Sequence, residues 1–252
     1  MSDQKQFKKI AFLTPRPGMD LHDFSTYWRD VHGPTVANSP GYSAYRTRYA
    51  QNHRIGDGPV GACFPYPGVA VFHLPGNGFN EEAFSESPIY RDRIRIDELN
   101  FIDMDRTVSM VATENVIRPG TGPVKVLIFG SRRDEFDRVA FDCRLIDACT
   151  GALLRARGFT DRLRGWTLNH IVEGSFRLPG ARPADAVAVD CIQELWFESE
   201  LEMEAAYASP AYRDNVAPTV CALFSTSHLF SFRAEEIVFF DKGRPYPPAP
   251  LS

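Results

Sequence analysis

Hydrophobic and polar positions along the chain alternate between the period of a strand and the period of a helix. Lys9–Thr14 is a short apolar run that predicts a strand, and Pro15–Gly18 ends it because proline cannot donate to a strand ladder. Beyond Asp20, apolar side chains recur every three or four residues as far as Val31, which is the spacing of one helix face. Asp20 is placed to cap the free amides of that helix. The pattern therefore predicts a strand followed by a capped helix.

The rest of the first half predicts two strands, a helical stretch and a final strand. These segments are Gly41–Gln51, Val69–Leu74, Glu81–Asn100 and Arg106–Ala112. The second half predicts the same order of elements. Its segments are the strand Val124–Phe129, the helix Asp134–Arg157, the strands Trp166–Glu173 and Cys191–Phe197, a helix that begins at the capping box Ser199–Glu202, and the strand His228–Arg233. Each half therefore predicts a βαββαβ unit.

Similar short segments occur in both halves at a constant separation along the sequence. Ser87–Asp92 reads SPIYRD and Ser209–Asp214 reads SPAYRD, and the same separation pairs Glu114 with Glu236. A repeat of this length is the size of a domain and predicts a duplicated unit. We therefore divide the chain into a first repeat (1–118), a linker (119–123), a second repeat (124–243) and a Pro-rich tail (244–252), which we expect to be extended or disordered.

A βαββαβ unit has one sheet with helices on a single face, so the other sheet face must be buried against a partner. A second unit in the same chain supplies that partner. The predicted fold is α+β, with two tandem ferredoxin-like βαββαβ repeats packed sheet to sheet as an intramolecular α+β barrel.

Composition narrows the class of protein. The chain has 252 residues, of which 44% are hydrophobic and 24% are charged, as in soluble globular proteins. A formal net charge of -4 gives no basic field for nucleic acid, and no apolar run is long enough to span a membrane. Five scattered cysteines without a C-x-x-C pair, and no apparent signal peptide, favour a cytoplasmic protein. The histidines lack metal-ligand spacing, so we expect no metal. Pro59 interrupts the glycines at 56, 58 and 61 and no helix start follows them, so we expect no nucleotide cofactor.

One motif carries a resemblance to a known family. Tyr27 precedes the run WRDVHGP (Trp28–Pro34), and Asn100–Asp103 leads into the last strand of the first half. These features resemble the EthD family of the dimeric α+β barrel superfamily, and the element order extends the resemblance over most of the chain. The corresponding helix of the second half lacks the tryptophan, the histidine and the Gly-Pro pair. The resemblance implies a barrel fold and oxidoreductase-associated metabolism without a cofactor, while related barrels also include isomerases, cyclases and dehydratases.

His32 is the first catalytic candidate. It stands four residues after Trp28, so both side chains project from one helix face, and an imidazole can move a proton at neutral pH. A histidine that only packs or caps a carbonyl is the alternative interpretation. Tyr49 is the second catalytic candidate, because a strand that carries Tyr45 and Tyr49 on one face would place Arg46 and Arg48 on the other and turn the tyrosines toward a pocket.

Further candidates come from both halves. The residues predicted to bind substrate are Trp28, Tyr45, Arg48, His73 and Phe64, and the second-repeat candidates are His170, Glu194 and Trp196. Phe64 lies on the Gly56–Gly68 loop, which is either a lid over the cavity or a simple surface excursion. Glu194 is either a buried acid–base group or the partner of Arg46 or Arg48. Ordinary core packing is the alternative for the aromatic residues.

The sequence thus predicts an enzyme that transfers protons on a small hydrophobic or aromatic metabolite, with a homodimer left open. A dehydratase, cyclase or isomerase, a non-catalytic binding or accessory protein, and a purely structural dimerisation module remain alternatives.

Overall fold

The structure is a computed structural model that describes residues 6–76, 81–175, 189–241 and 244–245. Its strands are β1 (Phe7–Leu13), β2 (Arg48–Asp57), β3 (Ala62–Cys63), β4 (Gly68–His73), β5 (Val108–Arg118), β6 (Val124–Arg132), β7 (Leu163–Ile171), β8 (Cys191–Phe197), β9 (Phe224–Asp241) and β10 (Arg244–Pro245). Its α-helices are α1 (Leu21–Tyr27), α2 (Gly33–Ala37), α3 (Glu81–Glu86), α4 (Arg95–Phe101), α5 (Arg138–Arg155), α6 (Arg157–Thr160), α7 (Glu200–Ala208) and α8 (Ala217–Leu223). π-helical turns at Trp28–His32, Tyr90–Ile94 and Tyr212–Val216 interrupt or precede three of the helices.

Eight strands close into an antiparallel barrel. Around the ring they follow the order β9, β2, β4, β1, β5, β7, β8 and β6, and β6 pairs again with β9. The ring closes because the long strand β9 pairs with β2 of the first half and with β6 of its own half. The helices cover the outside of this barrel. The prediction of a mixed α+β barrel within one chain is confirmed.

Both halves contribute four strands in the same spatial order. The first half supplies β2, β4, β1 and β5, and the second half supplies β7, β8, β6 and β9. β5 ends at Arg118 and β6 begins at Val124, on either side of the expected linker. The interpretation as tandem ferredoxin-like repeats is compatible with this order and stays a prediction.

Polar side chains start several helices, and Asp20 and Ser199 do so as the sequence predicts. The side chains of Asp20, Ser87, Ser199 and Ser209 each accept a hydrogen bond from the backbone amide three residues ahead, at 2.8 to 3.2 Å. Each of these bonds satisfies an amide that has no partner within its own helix. The two Ser-Pro pairs therefore begin new helical turns.

The boundaries of several predicted elements are wrong, and three of them show why. β2 begins at Arg48 and not at Gly41, because Gly41 has a φ of 80° and leads into a short 3₁₀ turn at Tyr42–Ala44. α5 begins at Arg138, where Asp137 caps it, and not at Asp134. β9 is longer than expected because it pairs with two strands. In the tail, Arg244–Pro245 pairs with β9, and 246–252 lie outside the described residues.

Three hydrophobic cores hold the fold together. The barrel core fills the inside of the barrel with alternate residues of its strands, such as Ile10, Phe12 and Leu127. The half-one core lies between the first four strands and their helices, and the half-two core lies between the other four strands and theirs. Because successive strand residues point to opposite faces, each strand contributes to two cores at once.

The loop before β4 fills the barrel. Phe64 is buried and stacks on Phe129 with ring centroids 3.8 Å apart, and it meets the edge of Phe12 at 4.9 Å. The sequence predicts that Phe64 lies on a lid over the substrate pocket. That prediction is wrong, because Phe64 packs against Phe12 and Phe129 in the barrel core, on the opposite face of the sheet from the half-one core.

Candidate functional site

A narrow cavity of about 40 Å³ lies between the sheet and the helices of the first half. We call it the half-one cavity. Trp28, His32, Arg46, Tyr49, Tyr90 and Glu98 are among its lining residues. The volume accommodates about three water molecules. A metabolite with an aromatic ring therefore requires side chains or helices to move apart when it enters.

The π-helical turn at Trp28–His32 places two lining residues against the sheet. Trp28 is fully buried and packs on Gly68, where a Cβ atom would lie 2.4 Å from the indole ring. Gly33 follows the turn, and a Cβ atom there would lie 2.4 Å from the ring of Phe239 on β9. Glycine at these two positions therefore lets the helix approach the sheet closely and brings Trp28 and His32 to the cavity.

His32 forms a dyad with Asp97 of α4. Its Nδ1 lies 2.6 Å from Asp97 Oδ2, and Tyr27 donates its hydroxyl to Asp97 Oδ1 at 2.8 Å. The His32 side chain is 6% exposed and the Asp97 side chain 14%. With Nδ1 engaged by the carboxylate, Nε2 is the ring nitrogen left to exchange a proton with a molecule in the cavity.

The surroundings of the dyad favour the ionised form of the Asp97 carboxyl group. Burial acts to raise the pKa of Asp97, but hydrogen bonds from His32 and Tyr27 hold this pKa below its ordinary value. Burial and the bond to Asp97 raise the pKa of Tyr27. Asp97 therefore stays ionised at neutral pH and holds the His32 ring through Nδ1.

Tyr49 forms another wall of the half-one cavity. It is fully buried, its ring stacks on Phe72 at 4.7 Å, and its hydroxyl oxygen accepts a hydrogen bond of 2.8 Å from Gln51 Nε2. Burial raises the pKa of Tyr49 despite the hydrogen bond from Gln51 and the neighbouring Trp28 indole. Tyr49 is therefore a protonated phenol at neutral pH, which suits a hydrogen-bond donor better than a base.

Arg46 brings a positive charge to the cavity, with its guanidinium 4.2 Å from the centre of the Phe84 ring. The sequence predicts Arg46 on the face opposite Tyr49, and this is wrong because β2 begins only at Arg48. Across the cavity, Tyr90 donates its hydroxyl to Glu98 at 2.9 Å, and burial raises the pKa of Tyr90.

The structure does not bring the other first-half candidates to the half-one cavity. Tyr45 lies outside β2 and packs on Phe84 at 5.3 Å. Arg48 donates to Glu236 at 3.3 Å on the barrel face of its strand. His73 is mostly buried, and burial followed by the nearby Lys8 lowers its pKa to about 3. The alternation of strand residues explains why Arg48 and His73 face away from Tyr49.

Glu194 belongs to a buried group of charges at one end of the barrel. It accepts hydrogen bonds from Lys8 at 2.8 Å and Lys125 at 2.6 Å, so its partners are lysines and not Arg46 or Arg48. Burial opposes ionisation of Glu194, but the two lysines hold its pKa well below the ordinary value. Trp196 donates to Glu236 in the same group at 3.3 Å. These contacts favour the structural interpretation of Glu194 over the acid–base one.

His170 lies in the second half, away from the half-one cavity. Its Nδ1 lies 2.8 Å from Asp142 Oδ1, and its Nε2 has no hydrogen-bond partner among the described residues. His170 and Asp142 line an open cleft of about 680 Å³ beside β5. At the position in the half-two core that corresponds to the half-one cavity, Cys149 and Trp166 line a second small cavity.

Several polar residues of the site were not predicted from the sequence, among them Asp97, Gln51 and His53. Asp97 lies on α4, and Gln51 and His53 lie on β2. Asp97 carries no local signal, because its role depends on a contact with a helix far away in the chain. Gln51 and His53 continue the alternation that begins at Tyr49, and that period-two pattern is the signal that could have found them.

Within the described residues, no three His, Cys, Asp or Glu side chains come together in an arrangement that could hold a metal ion. No helix in this part of the chain is long and apolar enough to cross a membrane.

The match to a known family falls on the segment that holds the dyad. The model of the EthD domain matches residues 16–105, which include the π-helical turn with His32 and the helix with Asp97. This segment is similar to the EthD domain family. The resemblance carried by Trp28–Pro34 is thereby confirmed for the first half. Among curated proteins, none matches the sequence.

Solved structures share the fold over nearly the whole chain. An anthrone oxidase-like protein is 12% identical with a TM-score of 0.58, and the alignment covers 99% of this chain and 98% of that one. A protein of Lactobacillus acidophilus NCFM described as a candidate monooxygenase is 11% identical with a TM-score of 0.55, covering 96% and 98%. A candidate chlorite dismutase is 8% identical with a TM-score of 0.50, covering 93% and 95%. At these identities the likeness establishes the barrel, and the three names show that one barrel hosts several reactions.

Proposed function

We propose that the EthD domain is the active centre of an oxidoreductase-type enzyme that acts on a small aromatic or carbonyl-bearing metabolite, and that His32 removes a proton from this substrate. The observation that carries the proposal is the buried dyad, in which Asp97 engages His32 Nδ1 at 2.6 Å at the wall of a cavity. A carboxylate that holds one ring nitrogen orients the other and stabilises the imidazolium formed when it accepts a proton.

The proposed step is enolisation of a ketone. A proton passes from the carbon beside the carbonyl to His32 Nε2, the electron pair of that C–H bond forms a C=C bond, and the carbonyl oxygen takes the negative charge. Dioxygen is the oxidant that we propose for the enolate. In the net reaction a methylene group and dioxygen give a carbonyl group and water. The names of the structural relatives, two of which denote oxygen-dependent chemistry, support this choice by analogy.

Proton exchange tests the first step without knowledge of the true substrate. The probes are acetophenone and 2-tetralone in D₂O, and NMR follows deuterium incorporation at the carbon beside the carbonyl. We expect the protein to accelerate exchange of at least one ketone. His32→Ala should reduce the enzymatic rate by roughly 10²- to 10⁴-fold, which is the usual contribution of a general base.

His170→Ala is the matched control, because it removes a second histidine held by an aspartate but lies away from the half-one cavity. Its exchange rate should equal that of the wild type. Equal rates for wild type and His32→Ala would remove the proposed role of His32. Ketone binding without any exchange would instead support a non-catalytic binding protein.

A further inference from the structure

A chain of hydrogen bonds leads from Tyr49 away from the half-one cavity to helix α1. Gln51 Nε2 donates to the Tyr49 hydroxyl oxygen at 2.8 Å, Gln51 Oε1 lies 2.7 Å from His53 Nε2, and Ser25 Oγ lies 2.7 Å from His53 Nδ1. His53 is 4% exposed and Gln51 is fully buried. We call these four residues the Tyr49–Ser25 chain.

The direction of each bond follows from one carbonyl group. Gln51 Nε2 also lies 2.8 Å from the backbone carbonyl oxygen of Trp28, which can only accept. The amide nitrogen must therefore face Trp28 and Tyr49, and the amide oxygen must face His53. An amide oxygen can only accept, so His53 carries its proton on Nε2. The remaining nitrogen, Nδ1, then accepts the hydrogen of Ser25.

His53 keeps this tautomer at neutral pH. Burial, followed by the positive charge of Arg29, lowers the pKa of His53 to about 4, so the ring is neutral above pH 5. The Trp28 ring covers it, with centroids 4.4 Å apart. His53 is therefore a fixed hydrogen-bonding unit and not a proton carrier at the cavity.

The Tyr49–Ser25 chain determines which way the Tyr49 hydroxyl points. Its oxygen already accepts the hydrogen of Gln51, so Tyr49 cannot donate its own hydrogen to that amide nitrogen. Among the described residues no hydrogen bond donated by Tyr49 is present, and Tyr49 lines the half-one cavity. The Tyr49 hydrogen is therefore available to an acceptor inside the cavity.

The second half shows what the same framework looks like without this chain. Tyr49 pairs with Phe72 on the neighbouring strand, and Trp166 pairs with Leu195 at the corresponding register. Tyr49 thus corresponds to Trp166, and Gln51, two residues further along β2, corresponds to Leu168 on β7. The barrel therefore tolerates an apolar residue at the position of Gln51. The requirements of the fold alone do not explain why the first half has the Tyr49–Ser25 chain.

We infer that the half-one cavity binds its substrate through a carbonyl oxygen that accepts a hydrogen bond from Tyr49, and that Gln51 and His53 are positioning residues that turn the Tyr49 hydroxyl toward it. This inference deepens the proposed function and rests on it. Tyr49 would hold the oxygen on which negative charge develops while His32 removes the proton. A donor already oriented toward that oxygen requires no reorganisation during the reaction.

A pair of ligands of equal shape tests the inference. Acetophenone carries a carbonyl oxygen, and α-methylstyrene has a CH₂ group in its place. NMR titration gives the dissociation constant of each. We expect the wild type to bind the ketone roughly fivefold more tightly than the alkene, which is the value of one net hydrogen bond. In Tyr49→Phe the ratio should fall to about one, because the donor is gone.

Gln51→Glu is the more specific variant because it keeps Tyr49. It replaces the amide nitrogen with an oxygen that accepts the Tyr49 hydrogen, so the hydroxyl turns away from the cavity and the ketone preference should again disappear. Tyr45→Phe, which removes a tyrosine hydroxyl outside the cavity, should retain the wild-type ratio. A ratio of two affinities measured on the same folded protein is insensitive to a general loss of stability.

Three results would overturn the inference. They are a wild type that binds the two ligands equally or binds neither, a Tyr49→Phe variant that keeps the ketone preference, and a Gln51→Glu variant that keeps it. Failure of the proposed function gives a different pattern, in which His32→Ala leaves proton exchange unchanged while the ketone preference still depends on Tyr49.

Discussion

The histidines of this protein differ in role according to the hydrogen-bond partner of each ring nitrogen and whether the ring lines a cavity. His32 and His170 are both held by an aspartate through Nδ1, but of the two only His32 lines the half-one cavity, which the sheet and helices of the first half enclose. His53 has partners on both ring nitrogens and a pKa lowered to about 4 by burial. Residue type alone does not separate a candidate base from a positioning residue, whereas the partners of each ring nitrogen do.

The neutral state of His53 makes stability depend on pH. Its folded-state pKa of about 4 lies below the ordinary value of 6.5, so between these values the unfolded chain binds a proton that the folded chain does not. Stability should therefore fall as pH falls from 7 to 5. His53→Gln should remove on the order of 2 kcal/mol of that loss.

Urea unfolding of both proteins at pH 7 and pH 5 gives the comparison. His73, whose pKa is also lowered, is present in both proteins and cancels in the difference. An equal loss of stability in the two proteins would show that His53 is protonated in the folded state.

The sequence predicts Trp28, His32 and Tyr49 as site residues from two local periods, one helical and one of a strand. It does not predict Asp97, because the partner of His32 comes from a helix more distant in the chain than any local pattern reaches. It misplaces Arg46 because the left-handed Gly41 and the turn after it delay the start of β2. Phe64 is misplaced for a related reason, since an aromatic residue in a loop fits a lid or a plug equally well.

At the scale of elements, helix α2 and the turn before it depend on close approach to the sheet. Gly33 lies where a side chain would meet the ring of Phe239 on β9. This contact joins a helix of the first half to a strand of the second. The GP pair of the motif therefore serves packing between halves as well as the surroundings of His32.

Replacement of Gly33 by alanine tests this packing. Alanine normally stabilises a helix relative to glycine by roughly 1 kcal/mol. Here we expect Gly33→Ala to lower the free energy of unfolding by roughly 1 to 3 kcal/mol, because the methyl group overpacks against Phe239.

Gly151→Ala on α5 is the control, because its methyl group would meet only the flexible end of Arg155. It should be neutral or stabilising in the same urea titration. Equal effects of the two substitutions would show that Gly33 is not required for close packing.

At the scale of the whole molecule, buried charges join the two halves inside the barrel. Lys8 contacts Glu114 and Glu194, and Lys125 contacts Glu194 and Glu236. Glu194 of the second half thus bridges a lysine from each half. Removal of one member of such a group leaves another charge buried without compensation.

Glu194→Gln should therefore be strongly destabilising, by roughly 3 to 5 kcal/mol in urea unfolding. The double variant Lys8→Met/Glu194→Gln removes one charge of each sign and should recover part of the loss. The lowered pKa of Glu194 means that its contribution is present above the ordinary carboxyl pKa and is lost as pH falls through the folded-state value. A double variant no more stable than Glu194→Gln would contradict compensation between these charges.

Strand β9 is hydrogen-bonded to β2 on one side and to β6 on the other, and these two pairings close the barrel. Neither half can lose its structure without leaving unpaired strand edges on the other, which makes the barrel a single cooperative unit despite its two-part architecture. Severing the chain between the halves would not yield two independent domains. Each fragment would expose two unpaired strand edges and would associate with a second fragment that covers them.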